Sequence, residues 1–144
     1  MKISACMTRD VRIADPAETL QEAARAMAEL DAGFLPVGEG DRLIGVITDR
    51  DIVIRGVANG RASDTTVREV MSPDVRYCYA DDSCVDILYN MADLQVRRLP
   101  VVDRDKRLVG IVSITDLATN GESSLAGEAL TQIARPSEYH SQSV

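Results

Sequence analysis

An α+β fold made of one β-α-β-β-α unit written twice is what this sequence predicts. Three observations carry that reading. Residues 7–41 set against 71–105, and 42–56 against 107–121, share sixteen identities in fifty paired positions. Each copy holds an apolar stripe at helical spacing, opened by a hydroxyl residue with an acid three places on. Each also ends in a short, almost wholly apolar, β-branched run that turns at a second hydroxyl-x-x-aspartate. A duplicated unit implies an internal pseudo-twofold and, with it, paired clefts. A repeat of roughly 60 residues buries too little surface to fold well alone, so the two are expected to pack face to face around a shared core.

The elements follow in order. Residues 11–14 alternate briefly and predict a short strand, broken by Asp15-Pro16. Thr19 and Glu22 form a capping-box pattern, echoed by Ser83 and Asp86. Behind them, Leu20, Ala23, Ala24, Met27 and Leu30 make one helical stripe, and Cys84, Ile87, Leu88, Met91 and Leu94 make the other. Strands are expected at 34–37 and 99–102, turns at 38–41 and 103–106, and buried strands at 43–48 and 108–113. A second helix begins near Asp49 and Ile114 and is expected to close around Gly56 and Gly121, since glycine suits a C-cap. Thr66 and Glu69 mark a helical turn over 67–71, after a polar linker at 59–65. Leu125, Ala129, Leu130 and Ile133 predict a short amphipathic helix ended by Pro136, with a disordered tail over 137–144. The domain layout is therefore repeat 1 over 1–62, repeat 2 over 63–122, and a C-terminal helix and tail over 123–144.

Composition narrows the function. Hydrophobic residues make up 45% and charged ones 27%, a soluble globular balance, and no apolar run approaches the ~20 residues of a membrane span. No basic segment followed by an apolar stretch opens the chain, so the expected location is cytoplasmic. A net charge of −7 argues against broad binding to nucleic acid or an anionic membrane. Local arginines at Arg97-Arg98 and basic residues at 104–107 still suit a small anion. Cys6, Cys78 and Cys84 show no C-x-x-C spacing, and the one histidine is His140, so no metal site is expected and the thiols read as buried and reduced. A disulfide sensor using Cys78 or Cys84 is the alternative.

The sharpest local pattern is Gly45-Val46-Ile47-Thr48-Asp49-Arg50-Asp51, repeated as Gly110-Ile111-Val112-Ser113-Ile114-Thr115-Asp116. Hydroxyl-x-x-carboxylate at a strand-to-helix corner is a complete capping box that needs no ligand. The same geometry also suits one. Helix N-terminal N–H groups attract anions, Thr48 or Ser113 can donate to a phosphate, and Arg50 can add a charge. Asp51 or Asp116 can accept from a ribose diol, and Gly45 and Gly110 leave room for close approach. Both readings stand, because a carboxylate has two oxygens.

The duplicated unit, with Leu-Pro-Val, Arg-Leu-x-Gly and the hydroxyl-x-x-Asp corner in both copies and Met71-Ser72-Pro73-Asp74-Val75 opening the second, resembles a pair of CBS domains (a Bateman module). The resemblance implies two β-α-β-β-α units packed by their sheets into a pseudo-twofold disc, commonly doubled into a homodimer. It also implies clefts that hold an adenosyl ligand such as AMP, ATP, NAD or S-adenosylmethionine. Carried over by position, the ribose aspartates fall on Asp51 and Asp116, the hydroxyls on Thr48 and Ser113, and the basic neighbour on Arg50. Thr115 departs from that last pattern, leaving Arg97 or Arg98 as substitutes. The adenine is expected against Ile13, Ala14, Phe34, Leu35 and Pro36 in one copy, and Tyr77, Cys78, Arg98, Leu99 and Pro100 in the other.

These residues lead to a regulatory adenine-nucleotide sensor that signals in trans to an effector protein, with no catalytic cofactor. A ligand-free dimerisation or stress-response module is the competing reading. An enzyme is not expected, since no histidine outside the tail can serve as a base and no neighbour activates the cysteines.

Overall fold

A computed structural model describes residues 1–120 and 123–135. Gly121, Pro136 and the 137–144 tail with His140, for which a cap, a helix stop and disorder were expected, lie outside the described residues. The chain divides into two compact units, one of Asp10–Tyr77 with Val102–Leu108, the other of Met1–Arg9, Cys78–Val101 and the chain from Val109 onward. We call them the first and second units.

In the first unit, α1 (Leu20–Leu30) starts at Thr19, whose Oγ1 accepts from the Glu22 N–H at 3.1 Å. It buries Leu20, Ala23, Ala26 and Met27; of the expected stripe Ala24 and Leu30 are exposed, and Ala26 takes the inward place because the buried face runs along positions 20, 23, 26 and 27. An antiparallel hairpin follows, β1 (Phe34–Glu39) and β2 (Arg42–Thr48), with a register shift at Val37/Gly38. The turn is tighter than the expected 38–41: only Gly40 and Asp41 separate the strands, and Gly40 takes φ 63°, which glycine adopts without cost. The strand expected at 11–14 reduces to one parallel bridge from Ala14 to Val37, carried by Ala14 N–H to Pro36 O (2.9 Å) and Gly38 N–H to Ala14 O (3.0 Å). Pairing stops there because Asp15 turns the chain, its carboxylate accepting from the Ala17 N–H at 2.8 Å.

After β2, α2 (Asp49–Asp51) runs on as a π turn (Ile52–Gly56) and a 3-10 turn (Val57–Asn59). Gly56 therefore lies within the helical run and is no cap. A Cβ there would come 3.0 Å from Leu20 Cδ1, so its smallness serves packing. Gly60, at φ 72°, terminates the run in its place. The turn α3 (Val67–Val70) forms, but the Thr66 hydroxyl does not cap it, and Glu69 pairs with Arg61 at 3.2 Å.

Around the second unit, β3 (Cys78–Tyr79), β4 (Arg98–Val102) and β5 (Leu108–Ser113) form a sheet in the order β3-β4-β5, with the end residues Val102 and Leu108 counted in the first unit. Helix α4 (Cys84–Leu94) buries Cys84, Ile87, Leu88 and Met91. Ser83 precedes it without capping, since its backbone is bridged to Lys2 and its side chain makes no cap bond. Helix α5 (Ile114–Thr119) and helix α6 (Ser123–Ile133) complete the unit. Asp31 and Gln95, which occupy matching positions in the two copies, end α1 and α4 in the left-handed conformation at φ 51° and 55°.

The buried side chains of each unit form a cluster of their own. Leu20, Met27, Leu35, Val37, Ile47 and Val67 anchor one; Ile3, Cys84, Leu88, Met91, Val112 and Leu117 anchor the other. Each cluster includes the lead-in of the opposite repeat. Thr8, just ahead of repeat 1, exchanges N–H···O bonds with Ile111 at 2.8 and 2.9 Å. Its counterpart Ser72, just ahead of repeat 2, exchanges them with Val46 at 2.8 and 3.1 Å.

Candidate functional site

Both strand-to-helix corners fold as full capping boxes. At the first, the Asp51 N–H donates to Thr48 Oγ1 (3.1 Å) and the Thr48 N–H to Asp51 Oδ2 (3.0 Å). At the second, the Asp116 N–H donates to Ser113 Oγ (3.1 Å) and the Ser113 N–H to Asp116 Oδ2 (2.9 Å). Within each corner the hydroxyl and the aspartate meet, as the four-residue spacing predicts. What differs is the second carboxylate oxygen. Asp51 Oδ1 accepts from the Ser72 hydroxyl at 3.5 Å and lies 4.0 Å from Arg55 Nε. Among the described residues, Asp116 Oδ1 has no hydrogen-bond donor, although the residue is half-buried.

At the first corner the backbone donors expected to attract an anion are already committed, and at the second the Ile114 N–H is. Asp49 N–H goes to Gly33 O (3.0 Å), Arg50 N–H to Asp49 Oδ1 (2.8 Å), and Ile114 N–H to Arg97 O (2.9 Å). A phosphate at the first corner must therefore be held by side chains. Arg50, Arg97 and Arg98 are exposed, and none has a side-chain partner among the described residues. The close approach allowed by the two glycines is likewise taken by the chain itself. A Cβ on Gly110 would sit 2.5 Å from Thr8 O, and one on Gly45 would sit 2.8 Å from Met71 Sδ and 2.9 Å from Ser72 O.

The expected adenine wall splits by exposure. Ala14, Leu35, Cys78 and Leu99 are core side chains, and Pro36 and Pro100 are buried as well. Ile13 and Phe34 are half-buried, while Tyr77 and Arg98 are exposed. Within the first unit Tyr77 lines a hollow of about 210 Å³ together with Arg42, Leu43, Val75, Val102 and Lys106. Arg42 and Lys106 make no ion pair among the described residues, whereas neighbouring Arg107 pairs with Asp41 at 3.4 Å. The basic run at 104–107 hinted at Lys106, but nothing in the sequence joined it to Arg42 and Tyr77. Lys106 holds φ 63° in a turn where the Asp103 carboxylate accepts from the Asp105 and Arg107 N–H groups, both at 2.9 Å. A larger hollow of about 390 Å³ lies between α4 and α6, lined by Leu88, Tyr89, Leu125 and Gln132 among others. Neither hollow is lined by Thr48, Asp51, Ser113 or Asp116.

All three cysteines are buried thiols. Burial pushes Cys78 up to about 12, helped by Asp82 and the other two thiols. Cys6 is likewise pushed up to about 12, first by burial and then by its hydrogen bond with Cys84. Thiols so reluctant to ionise make poor nucleophiles. No helix among the described residues is long and apolar enough to cross a membrane.

The duplicated corner and the two α+β units define a tandem module, and comparison with known proteins says which. The CBS domain model matches residues 3–56 and again 67–122, so the chain belongs to the CBS domain family as a tandem pair. It is 45% identical over 129 residues to the CBS domain-containing protein YhcV of Bacillus subtilis, covering 89% of this chain and 91% of that one. It is 47% identical over 103 residues to hypoxic response protein 1 of Mycobacterium tuberculosis, covering 70% of this chain and 71% of that one. The crystal structure of hypoxic response protein 1 with two coordinated zinc ions superposes at a TM-score of 0.76, with 41% identity, over 83% of this chain and 98% of that one. More distant CBS pairs share the fold: that of MJ0100 in complex with 5′-methylthioadenosine and S-adenosylmethionine (TM-score 0.74, 23% identity, 86% and 98% covered) and CBSX2 in complex with AMP (TM-score 0.74, 21% identity, 85% and 97% covered). Among the described residues, no group of three or more His, Cys, Asp or Glu is placed to hold a metal ion.

Proposed function

We propose that this CBS pair binds an adenosyl ligand and reports its occupancy to another protein. The observation that carries the reading is the unspent Oδ1 of Asp116, half-buried beside the Ser113 hydroxyl. A carboxylate oxygen already desolvated in part, and held in place through its partner oxygen, is preorganised to accept from a ribose diol. Asp51 is the weaker of the two aspartates, because Ser72 and Arg55 approach its second oxygen. Ile13 and Phe34, and Tyr77 and Arg98, supply exposed or half-buried surface for the base in the two repeats. Arg50, Arg97 and Arg98 are the cations available for phosphates. AMP, ATP, NAD and S-adenosylmethionine are the ligands to test, the class held by the CBS pairs of MJ0100 and CBSX2.

Signalling follows by population shift: a ligand moves the module only by the difference in its affinity for two conformations. The apolar face of the helical run at 49–59, with Val53, Ile54 and Val57 exposed, is our candidate for homodimerisation. Thermal denaturation with each compound tests the binding claim. Saturation at a hundred times the dissociation constant stabilises by ~2.7 kcal/mol, and no response to any of the four removes the sensor reading. Asp51 favours the second reading, a ligand-free assembly module, in so far as capping and its neighbours account for both its oxygens.

A further inference from the structure

We propose that Cys6 and Cys84 are a thiol-oxidation site that closes into a reversible disulfide under an oxidising thiol–disulfide balance. The two sulfurs lie 3.3 Å apart in one core cluster, 78 residues apart in sequence. A disulfide bond measures ~2.05 Å, so bonding requires roughly 1.2 Å of closure between side chains that already touch. The chain around them is built to hold this register. Cys84 opens α4, its N–H donates to Met1 O at 3.0 Å, and Lys2 bridges Ser83. Ile3 and Ser4 donate to Asp82 O (2.9 Å) and Ala80 O (2.8 Å), and the Cys6 N–H donates to Ile3 O (3.0 Å). Residues 1–7 thus form a strap across the start of α4, and a disulfide would make that hold covalent.

The chemistry balances with a small-molecule disulfide, such as oxidised glutathione, as the oxidant. Cys6, 8% exposed, is reached before Cys84 at 0%. Its thiolate attacks one glutathione sulfur, expelling a glutathione thiolate that takes up the proton Cys6 released. The Cys84 thiolate then attacks Cys6 Sγ, breaks the mixed disulfide and expels the second glutathione in the same way. Two protein thiols are oxidised and one glutathione disulfide is reduced to two thiols. Because burial holds the Cys6 thiol protonated and Cys84 has no solvent exposure, reaction proceeds through opening of the strap, and urea below the unfolding midpoint should accelerate it.

The test needs no nucleotide and so stands apart from the sensor reading. The reduced full chain is incubated with oxidised glutathione, quenched with iodoacetamide after unfolding, and mapped by mass spectrometry. The expected product has lost two hydrogens, carries a Cys6–Cys84 cross-link, and is alkylated at Cys78 alone. The same oxidation in strong denaturant should favour Cys78–Cys84, whose loop is far shorter. Oxidised native protein should melt higher, by on the order of 10 °C in the loop-closure picture, with reversal by dithiothreitol. That gain should be absent in both Cys6→Ser and Cys84→Ser and kept in Cys78→Ser. Three alkylated thiols, a persistent glutathione adduct, or native cross-links through Cys78 would each overturn the proposal, and wild-type mapping decides even if a variant fails to fold.

Discussion

Single residues separate capping from ligation. Asp116→Asn keeps an oxygen that can accept from the Ser113 N–H but removes the charge offered to a ribose. Its melting temperature should stay near wild type while adenosyl-ligand affinity falls at least tenfold, consistent with ~1.5–3 kcal/mol for a charged hydrogen bond. Thr48→Ala should instead cost about 1 kcal/mol of stability in denaturant titrations, because the Asp51 N–H loses its acceptor. Glu18 gives a pH handle: the Arg12 guanidinium, at 2.7 Å to each carboxylate oxygen, holds its carboxyl below the usual range. A depressed carboxyl stabilises the fold above its unfolded value near 4.3, and the effect fades as pH falls through the folded value. Arg12 is 37% exposed, so Glu18→Gln should cost only about 0.5–1 kcal/mol at pH 7, and progressively less as pH falls into the acid range. The hydroxyl–carboxylate pairs were legible because a capping box is local, complete within four residues. The fate of the second oxygen was not, since Ser72 and Arg55 reach Asp51 through tertiary packing.

At the scale of elements, helices were read well and strands less so. The stripe of α4, and Leu20, Ala23 and Met27 of α1, follow from 3.6-residue spacing, a property of the segment alone, whereas Ala24 and Leu30 turned out exposed. The strand at 11–14 failed because pairing is non-local, and only Ala14 finds a partner. Caps on Ser83 and Thr66 failed for a related reason, as neighbouring backbone settles those starts without the hydroxyls. Gly45 and Gly110 show how one signal admits two physical causes: the approach they permit is made by the chain's own lead-in strands. Gly110→Ala should therefore destabilise by about 1–3 kcal/mol in the absence of any ligand, read by urea titration. The exposed helical face makes its own prediction. Val57, at 68% exposed, replaced by Glu should leave stability nearly unchanged yet shift sedimentation from dimer to monomer, whereas an unchanged sedimentation coefficient would clear this face of the role.

For the whole molecule, duplication was legible and the exchange of lead-in segments was not. Repeat alignment orders residues along the chain, but the pairing of Thr8 with Ile111 and of Ser72 with Val46 is a choice made in three dimensions. Ile3 states the consequence: it is 0% exposed in the core of the second unit. Ile3→Ala should cost about 2–5 kcal/mol and raise hydrogen exchange in α4 while sparing α1. The central claim is that the corner at Ser113 and Asp116 receives a ribose. Calorimetric titration of AMP, ATP, NAD and S-adenosylmethionine into wild type and Asp116→Asn tests it most directly. Saturable binding of at least one compound, lost in the variant while its fold persists, is the predicted result. Equal affinity in both proteins, or no heat from any compound, would contradict it.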